Sequence, residues 1–362
     1  MNPIFTSPHM GNTYIGVKAF LETMGCRYLP PPPTSRKTIE LGVKHSPECA
    51  CFPYKVTLGN MIEGLERGAN IVLMASGKKG LCRLAYYHIV QKKALEDLGF
   101  DFEMVGLGEN IWDVLFNKMK VWSGNPHHHF WRLIKATRIT FKKLKLIEKV
   151  EALARETRPY EIKKGETSKV YHRCLKLIDQ AKNLSQLRKV KKLIESLFSS
   201  IPKDSQRDVL RVVLVGEFFC CLEPAVSHQI ETILGELGVL VKQNMSSYRL
   251  AKGFLFPDLR KWWLNHFVVR KYLKCTGGGE ERRSLGETEI YAKRGYDGVI
   301  ALKPFTCLPE NTAEAIFPHL SKKFKIPVLS LSLDENFSEI NMLTRIESFV
   351  DMLRRKRSVS GN

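Results

Sequence analysis

Long apolar runs are missing from this 362-residue sequence. Its longest apolar stretches, 71–76 and 212–222, are shorter than the roughly 20 residues that a membrane-spanning helix needs. The opening residues, Met-Asn-Pro-Ile-Phe, carry neither the basic start nor the apolar run of a secretory signal. We therefore expect a cytoplasmic protein with no membrane-bound segment.

The chain also lacks the Cys-x-x-Cys pairs of a structural zinc site, although it contains nine cysteines. Without an export signal these cysteines are not expected to form a disulfide framework, because a reducing cytosol keeps thiols unpaired. They are left as buried packing thiols, as a redox pair, or as soft ligands for zinc or an iron–sulfur cluster.

Two common catalytic signatures are absent as well. The glycines at 277–279 are not followed by the Lys-Ser/Thr of a phosphate-binding P-loop, so we interpret them as a flexible turn. No Gly-x-Ser-x-Gly elbow occurs, and no Ser/His/Asp hydrolase is proposed. His127, His128 and His129 are conspicuous, but adjacent side chains diverge, and a surface loop is the better interpretation.

Composition divides the chain into three regions, 1–115, 116–208 and 209–362. In the first and third regions, continuous apolar runs alternate with amphipathic helices, which is typical of an α/β fold with a parallel sheet covered on both faces. We predict strands at 70–75, 100–105, 211–217, 239–242, 298–302 and 327–332. We predict helices at 13–24, 57–68, 86–98, 226–237, 310–324 and 339–355.

The middle region holds most of the positive charge. Residues 118–198 contain 21 basic and 7 acidic residues, which gives +14 of the chain's +20. Leu144, Ile147 and Val150 recur at helical spacing, so we predict a basic helical insertion. Its charge suits nucleic acid, an acidic partner or the phosphates of coenzyme A, while a solvated helical face is the simplest interpretation.

Three cysteines are distinguished by their position. Cys82 and Cys307 follow predicted strands through short loops, and Cys51 precedes the helix predicted from residue 57. Ligands of open α/β sheets bind outside the carboxyl ends of the strands, where three thiols could hold zinc or a cluster with one open iron. From the residues alone, packing thiols remain the simpler interpretation.

The other cysteines give weaker signals. Cys26, Cys174 and Cys275 are interpreted as packing or surface residues. Cys220 and Cys221 are adjacent just past a strand, and neighbours in extended chain point to opposite faces, so at most one of them would face a site. Cys49 lies two residues before Cys51, in a Cys-x-Cys pair that is unspecific by itself.

As a set, several segments resemble the 2-hydroxyacyl-CoA dehydratase superfamily, and in particular its activase-associated branch with the relatives of the 2-hydroxyglutaryl-CoA dehydratase D-component. The first two are the acidic-Cys-(Phe/Tyr)-Pro-x-Lys type run within 46–60 and the Cys-Arg segment with two tyrosines at 80–87. The remaining segments are 215–217, 222–224, 286–288, 295–300, 303–310 and 326–335. The resemblance covers both α/β regions and is weakest in the basic one.

This resemblance implies two Rossmann-like domains whose parallel sheets face a cleft, with a four-iron four-sulfur cluster held there by three cysteines. Carried over to this chain, the ligands are Cys51, Cys82 and Cys307, with Cys49 as an alternate. A sister branch carries a double-cubane cluster, which is the less favoured form here. The resemblance also implies an oxygen-sensitive protein that works in an anaerobic cell.

The implied chemistry is one-electron redox chemistry on a 2-hydroxyacyl-CoA. An ATP-hydrolysing activator, itself an iron–sulfur protein, supplies the electron, and a second, unlike dehydratase-type subunit is an expected partner. Lys55, Arg83 and Glu310 are candidates to influence the cluster as its neighbours, and the cationic Lys55 and Arg83 would favour ionised thiols beside them. The alternatives are a non-catalytic scaffold or assembly partner of such a system and, third, a basic nucleic-acid-binding protein.

Overall fold

The computed structural model describes residues 2–76, 82–108, 111–124 and 129–360. It is a mixed α/β structure with two four-stranded sheets, all of whose paired strands are parallel. The strands are β1 (Ile4–Thr6), β2 (Arg27–Tyr28), β3 (Ile71–Met74), β4 (Glu103–Gly106), β5 (Leu210–Gly216), β6 (Val239–Gln243), β7 (Gly298–Pro304) and β8 (Val328–Leu333).

Helices connect the strands in both halves of the chain. They are α1 (Thr13–Met24), α2 (Arg36–Lys44), α3 (Phe52–Glu66), α4 (Tyr87–Asp97), α5 (Ile111–Asp113), α6 (Met119–Trp122), α7 (His129–Thr157), α8 (Glu166–Gln180), α9 (Leu184–Ser199), α10 (Phe218–Leu222), α11 (Ile230–Glu236), α12 (Ser247–Leu255), α13 (Leu259–Trp263), α14 (Glu281–Lys293), α15 (Leu308–Phe324) and α16 (Glu339–Ser360). Shorter turns are the 3-10 helices Arg83–Tyr86 and Arg158–Tyr160 and the π-helices Val114–Lys118 and Leu264–Val268.

The two sheets have the same strand order. The first is β2-β1-β3-β4 and the second is β6-β5-β7-β8, so the strand that comes first along the chain lies inside each sheet. The second strand along the chain pairs with one edge of this strand, and the third strand pairs with its other edge. The order therefore reverses between β1 and β3 in the first sheet and between β5 and β7 in the second, which is where open α/β sheets bind ligands.

The chain forms two compact units. Unit 1 comprises 1–146, 178–187 and 247–256, and unit 2 comprises 147–177, 188–246 and 257–362. Each unit contains one of the sheets. The residues of the basic segment 116–208 are divided between the two units.

Unit 1 is built around α3, whose residues from Phe52 to Leu65 are all buried. It packs so tightly on α2 that a Cβ added to Gly42 would lie 1.7 Å from the Lys55 carbonyl oxygen, and one added to Gly59 would lie 1.9 Å from the Thr38 carbonyl oxygen. Only glycine permits this approach of two helix backbones.

In unit 2, a tight contact holds together the carboxyl ends of β5 and β7. Gly216 has φ +130°, and a Cβ there would lie 1.9 Å from the carbonyl oxygen of Leu302. The next residue, Glu217, donates its backbone N–H to the same oxygen at 2.8 Å. The chain therefore leaves β5 directly beside β7.

Most predicted elements occur within a few residues of the expected bounds, but three starts were wrong. The helix predicted from 57 begins at Phe52, because Pro53 fits the first turn of a helix. The helix predicted from 226 begins at Ile230, because His228 and Gln229 have left-handed φ values of 47° and 55°. The strand predicted from 100 begins at Glu103.

No helix in the described parts of the chain is both long enough and apolar enough to cross a membrane.

Candidate functional site

Cys51 lies at the amino end of α3 in unit 1. Its backbone is extended, with φ −73° and ψ 157°, and its carbonyl accepts the first helical hydrogen bond, from the Tyr54 N–H at 2.9 Å. It is thus the N-cap residue, and its side chain makes no capping hydrogen bond. The partial positive charge of a helix amino terminus favours negative charge on a sulfur at this position.

Cys82 has the same role in the next connection of unit 1. It follows β3 and is the N-cap residue of the 3-10 helix Arg83–Tyr86, with φ −69° and ψ 129°. The 3-10 helix continues directly into α4. The loop glycines between β3 and Cys82, and the start of the second family-like segment, lie outside the described residues.

One phenol lies beside both thiols. The hydroxyl of Tyr87 and the sulfur of Cys51 form a hydrogen bond. Burial raises the pKa of Tyr87 above its ordinary value, negative charge on Cys51 and Cys82 raises it further, and Arg83 opposes the rise. The phenol of Tyr87 therefore stays neutral, and both cysteines act on it, Cys51 through the hydrogen bond and Cys82 through its charge.

The other predicted residues of unit 1 surround this pair. Cys49 is exposed in the loop before α3, and the guanidinium of Arg83 donates a hydrogen bond to its carbonyl oxygen. This contact ties the loop that leads to Cys51 to the 3-10 helix that begins after Cys82. Lys55 is buried within α3, with 8% of its surface exposed.

Cys307 is the equivalent residue in unit 2. It follows β7, is the N-cap residue of α15 with φ −81° and ψ 107°, and makes no side-chain capping hydrogen bond. Its carbonyl accepts the N–H of Asn311 at 2.9 Å. Like Cys51, it is followed by an apolar residue and then by proline at the second helical position.

Glu310, one turn into α15, is a buried carboxyl. It is 2% exposed and accepts a hydrogen bond from the Ser284 hydroxyl of α14, at 3.0 Å. Burial raises the pKa of Glu310 well above its ordinary value; the Ser284 hydrogen bond opposes this, while Glu280, Glu281 and Glu217 reinforce it. Burial therefore favours the protonated form of this carboxyl.

The structure corrects the interpretation of Cys220 and Cys221. Both lie in α10 and not in extended chain, and both are buried. Glu217, the N-cap residue of α10, accepts the N–H of Cys220 at 2.9 Å. The pKa of Cys220 is raised by burial first and then by its charged neighbours, among them Glu217 and Cys307. A second thiol thus lies near Cys307, and the sequence pattern did not single it out.

The glycines at 277–279 lie in a bend outside the helices and strands, where a turn was predicted, and the flexibility of this turn stays a prediction. The turn holds an anion that belongs to the chain itself. The carboxylate of Glu281 accepts the N–H groups of Gly277 at 2.7 Å and Gly279 at 3.1 Å, and the hydroxyl of Thr276 at 2.6 Å. A Cβ on Gly279 would lie 2.7 Å from Pro309, so this turn packs on the start of α15.

The triple histidine is only partly described, because His127 and His128 lie outside the described residues. His129 is the first residue of α7, and its ring nitrogen Nε2 donates to the carbonyl oxygen of Leu115 at 2.8 Å. His129 is buried, with 6% of its surface exposed, so the surface-loop interpretation was wrong for this residue and the contact gives it a structural role in unit 1.

Each unit therefore carries N-cap cysteines, two in unit 1 and one in unit 2. Within the described residues, no three His, Cys, Asp or Glu side chains are grouped so that they could hold a metal ion. No protein-family model matches the chain, and a search of curated proteins finds no significant match.

Proposed function

We propose that this chain is an iron–sulfur redox protein of the 2-hydroxyacyl-CoA dehydratase type. In this proposal Cys51, Cys82 and Cys307 bind one four-iron four-sulfur cluster, carried by two Rossmann-like domains. The sequence resemblance is one support, and a shared backbone position of the three cysteines is the other.

That shared position is the observation that carries the proposal. All three residues are helix N-cap residues in extended conformation. The remaining six cysteines of the described chain lie within helices or in loops. Helix N-caps are normally Ser, Thr, Asp or Asn, so three cysteines there call for a reason other than helix stability.

The chemistry of the donor set fits the cluster. Thiolates are the ligands that iron–sulfur clusters use, and three of them leave one iron open to a further ligand. Each N-cap sulfur lies at the positive end of a helix, where both the ionised thiol and the negative charge of a bound cluster are stabilised. The bound cluster would supply one-electron transfer, with the electron delivered by an ATP-driven activator.

Cysteine variants test the proposal directly. The full chain is reconstituted with ferrous iron and sulfide without oxygen, and bound iron is measured in Cys51→Ala, Cys82→Ala and Cys307→Ala. We expect each variant to retain less than about a third of the wild-type iron, because a cluster loses stability when a ligand is removed. Cys275→Ala, which removes an exposed loop cysteine, is the matched control and keeps its iron.

Cys49→Ala tests the alternate ligand. If Cys49→Ala binds as much iron as the wild type, Cys51 is the ligand. If Cys49→Ala loses iron and Cys51→Ala retains it, Cys49 is the ligand instead. Undiminished iron in all three N-cap variants contradicts the proposal. A protein that binds iron and the activator but turns over no 2-hydroxyacyl-CoA would be the scaffold form of the same system.

A further inference from the structure

A surface pocket of unit 2 lies on residues that the cluster proposal does not use. It has a volume of about 240 Å³ and is lined by Asn265, His266, Arg270, Lys274 and Arg282. Its lining therefore contains two arginines, a lysine and a histidine but no acidic residue.

The cations of this pocket differ from their neighbours in having no counter-charge. Within the described residues, Arg270, Lys274 and Arg282 form no ion pair with a carboxylate. Nearby basic residues are all paired: Arg260 with Glu287, Lys261 with Glu280, Lys271 with Glu289, and Arg283 with both Asp258 and Glu280. The basic residues around the pocket are neutralised by carboxylates, whereas those that line it are not.

Among the residues that the structure describes, two buried polar atoms at the pocket have no hydrogen-bond partner either. The Nη2 atom of Arg282 donates to the carbonyl oxygen of Lys274, which holds the guanidinium in place, while its Nε is buried without a hydrogen bond. The Oδ1 atom of Asn265 is also buried without a hydrogen bond, but it is an acceptor and does not itself favour an anion. Unsatisfied buried groups are costly, so a fixed, unpaired Arg donor beside an excess of positive charge indicates a missing anionic ligand.

The backbone under the pocket is unusual. Residues Leu264–Val268 form a π-helical turn, a feature that recurs at functional sites. The His266 ring donates from Nδ1 to the Trp262 carbonyl oxygen at 2.8 Å, and its centroid is 4.8 Å from that of the Trp262 ring. Trp262 is 54% exposed, so an aromatic face is available beside the basic groups.

We propose that this pocket binds the phosphate group of a small phosphorylated ligand. Two guanidinium groups and one ammonium provide the charge-assisted donors that phosphate oxygens prefer, and arginine does so in a planar fork. The volume is below that of ordinary ligand pockets, which suits a phosphate or pyrophosphate group with the remainder of the ligand outside. The binding needs no iron and is independent of the cluster proposal.

Calorimetric titration of the full chain with inorganic pyrophosphate tests this proposal. Saturable binding is expected in the wild type, and the double variant Arg270→Gln/Lys274→Gln should bind at least about tenfold more weakly, since it removes two charge-assisted donors to the phosphate oxygens. The control Arg188→Gln/Lys189→Gln removes the same two charges from exposed positions of α9 and should change the affinity less than about twofold.

Further arms identify the source of the phosphate. ADP and coenzyme A are each titrated into the wild type and into Trp262→Ala, which shows whether the base of the ligand stacks on Trp262. The variant should lose affinity for these two ligands but not for pyrophosphate. Equal pyrophosphate binding by wild type and the Arg270/Lys274 variant would overturn the proposal. So would the absence of saturable pyrophosphate binding, and if single-stranded RNA then bound, the surface would be a nucleic-acid surface instead.

Discussion

The hydroxyl of Tyr87, at the start of α4, forms a hydrogen bond with the sulfur of Cys51, at the start of α3. The Tyr87 ring also packs edge-on against Tyr54, with the centroids 5.0 Å apart at 84°. Two helices of unit 1 are thus joined at their amino ends through a cysteine. The hydrogen bond to the buried phenol of Tyr87 holds the Cys51 side chain in one orientation, and metal ligands are normally oriented by such neighbours.

Replacing Tyr87 by Phe removes this hydrogen bond and leaves the ring packing intact. In the metal-free protein we expect the free energy of unfolding to fall by about 1 kcal/mol, the usual contribution of one buried hydrogen bond. Tyr86→Phe, at the neighbouring exposed position, is the control and should change it by less than about 0.5 kcal/mol. Urea denaturation measures both, and equal stability of the two variants would show that the contact contributes nothing.

The same substitution has a second consequence once iron is bound. Hydrogen bonds to cluster sulfurs stabilise the reduced, more negative state, so Tyr87→Phe should make the reduction potential more negative than that of the wild type. A spectroscopic redox titration measures this shift. An unchanged potential in a fully loaded variant would argue against Cys51 as a ligand.

Close contact of α2 and α3 makes Gly59 a sensitive position for the site, because α3 carries Cys51. Gly59→Ala places a methyl group against the Thr38 carbonyl oxygen, and we expect a loss of at least about 2 kcal/mol in unfolding free energy. Gly253→Ala in α12 of the same unit is the matched control. No described atom lies within 4 Å of its added Cβ, so Gly253→Ala should be neutral or stabilise by up to about 1 kcal/mol. Similar stabilities of the two variants would contradict the described packing.

The buried acid Glu310 predicts a specific pH dependence. Burial raises the pKa of Glu310 in the folded state. Above the ordinary carboxyl pKa, the unfolded protein has therefore released this proton while the folded protein still binds it. The free energy of unfolding falls as the pH rises from the ordinary carboxyl pKa towards the raised one. Glu310→Gln cannot ionise. We therefore expect its urea midpoint to rise relative to that of the wild type between pH 5 and pH 8.

Glu314→Gln is the control for this pH series, in the same helix. Burial alone would raise the pKa of Glu314, but the ion pair with Lys303 outweighs it and the pKa is lowered. The stabilisation from ionised Glu314 is therefore lost only as the pH falls below the ordinary carboxyl range. The difference between this variant and the wild type should stay constant from pH 5 to pH 8. A constant difference for Glu310→Gln as well would show that Glu310 is ionised in the folded protein.

Much of the fold follows from the sequence because most strands are continuous apolar runs. The runs at 70–75, 211–217 and 298–302 predicted the centres of β3, β5 and β7 correctly, and the stop of α1 at Gly25 is confirmed by its left-handed φ of 91°. The interior strand β1 was missed, because three residues between prolines give no periodicity to read.

The site was harder to predict than the fold. The Cys-apolar-Pro pattern at 51–53 and 307–309 was visible, and it marks both N-caps, but Cys82 lacks the proline. The contact of Tyr87 with Cys51 joins residues 36 positions apart, and the hydrogen bond of Ser284 to Glu310 joins residues 26 apart. Such pairs depend on tertiary packing, which single-sequence patterns do not encode.

The most direct test of the central claim is the content of iron and acid-labile sulfide in the wild-type chain, purified and reconstituted without oxygen, together with an electron paramagnetic resonance spectrum of the reduced protein. We expect about four irons and four sulfides per chain and a spectrum of a reduced four-iron cluster. About eight irons would indicate the double-cubane form. A chain that binds no iron under these conditions would contradict the account and leave its N-cap cysteines without a metal.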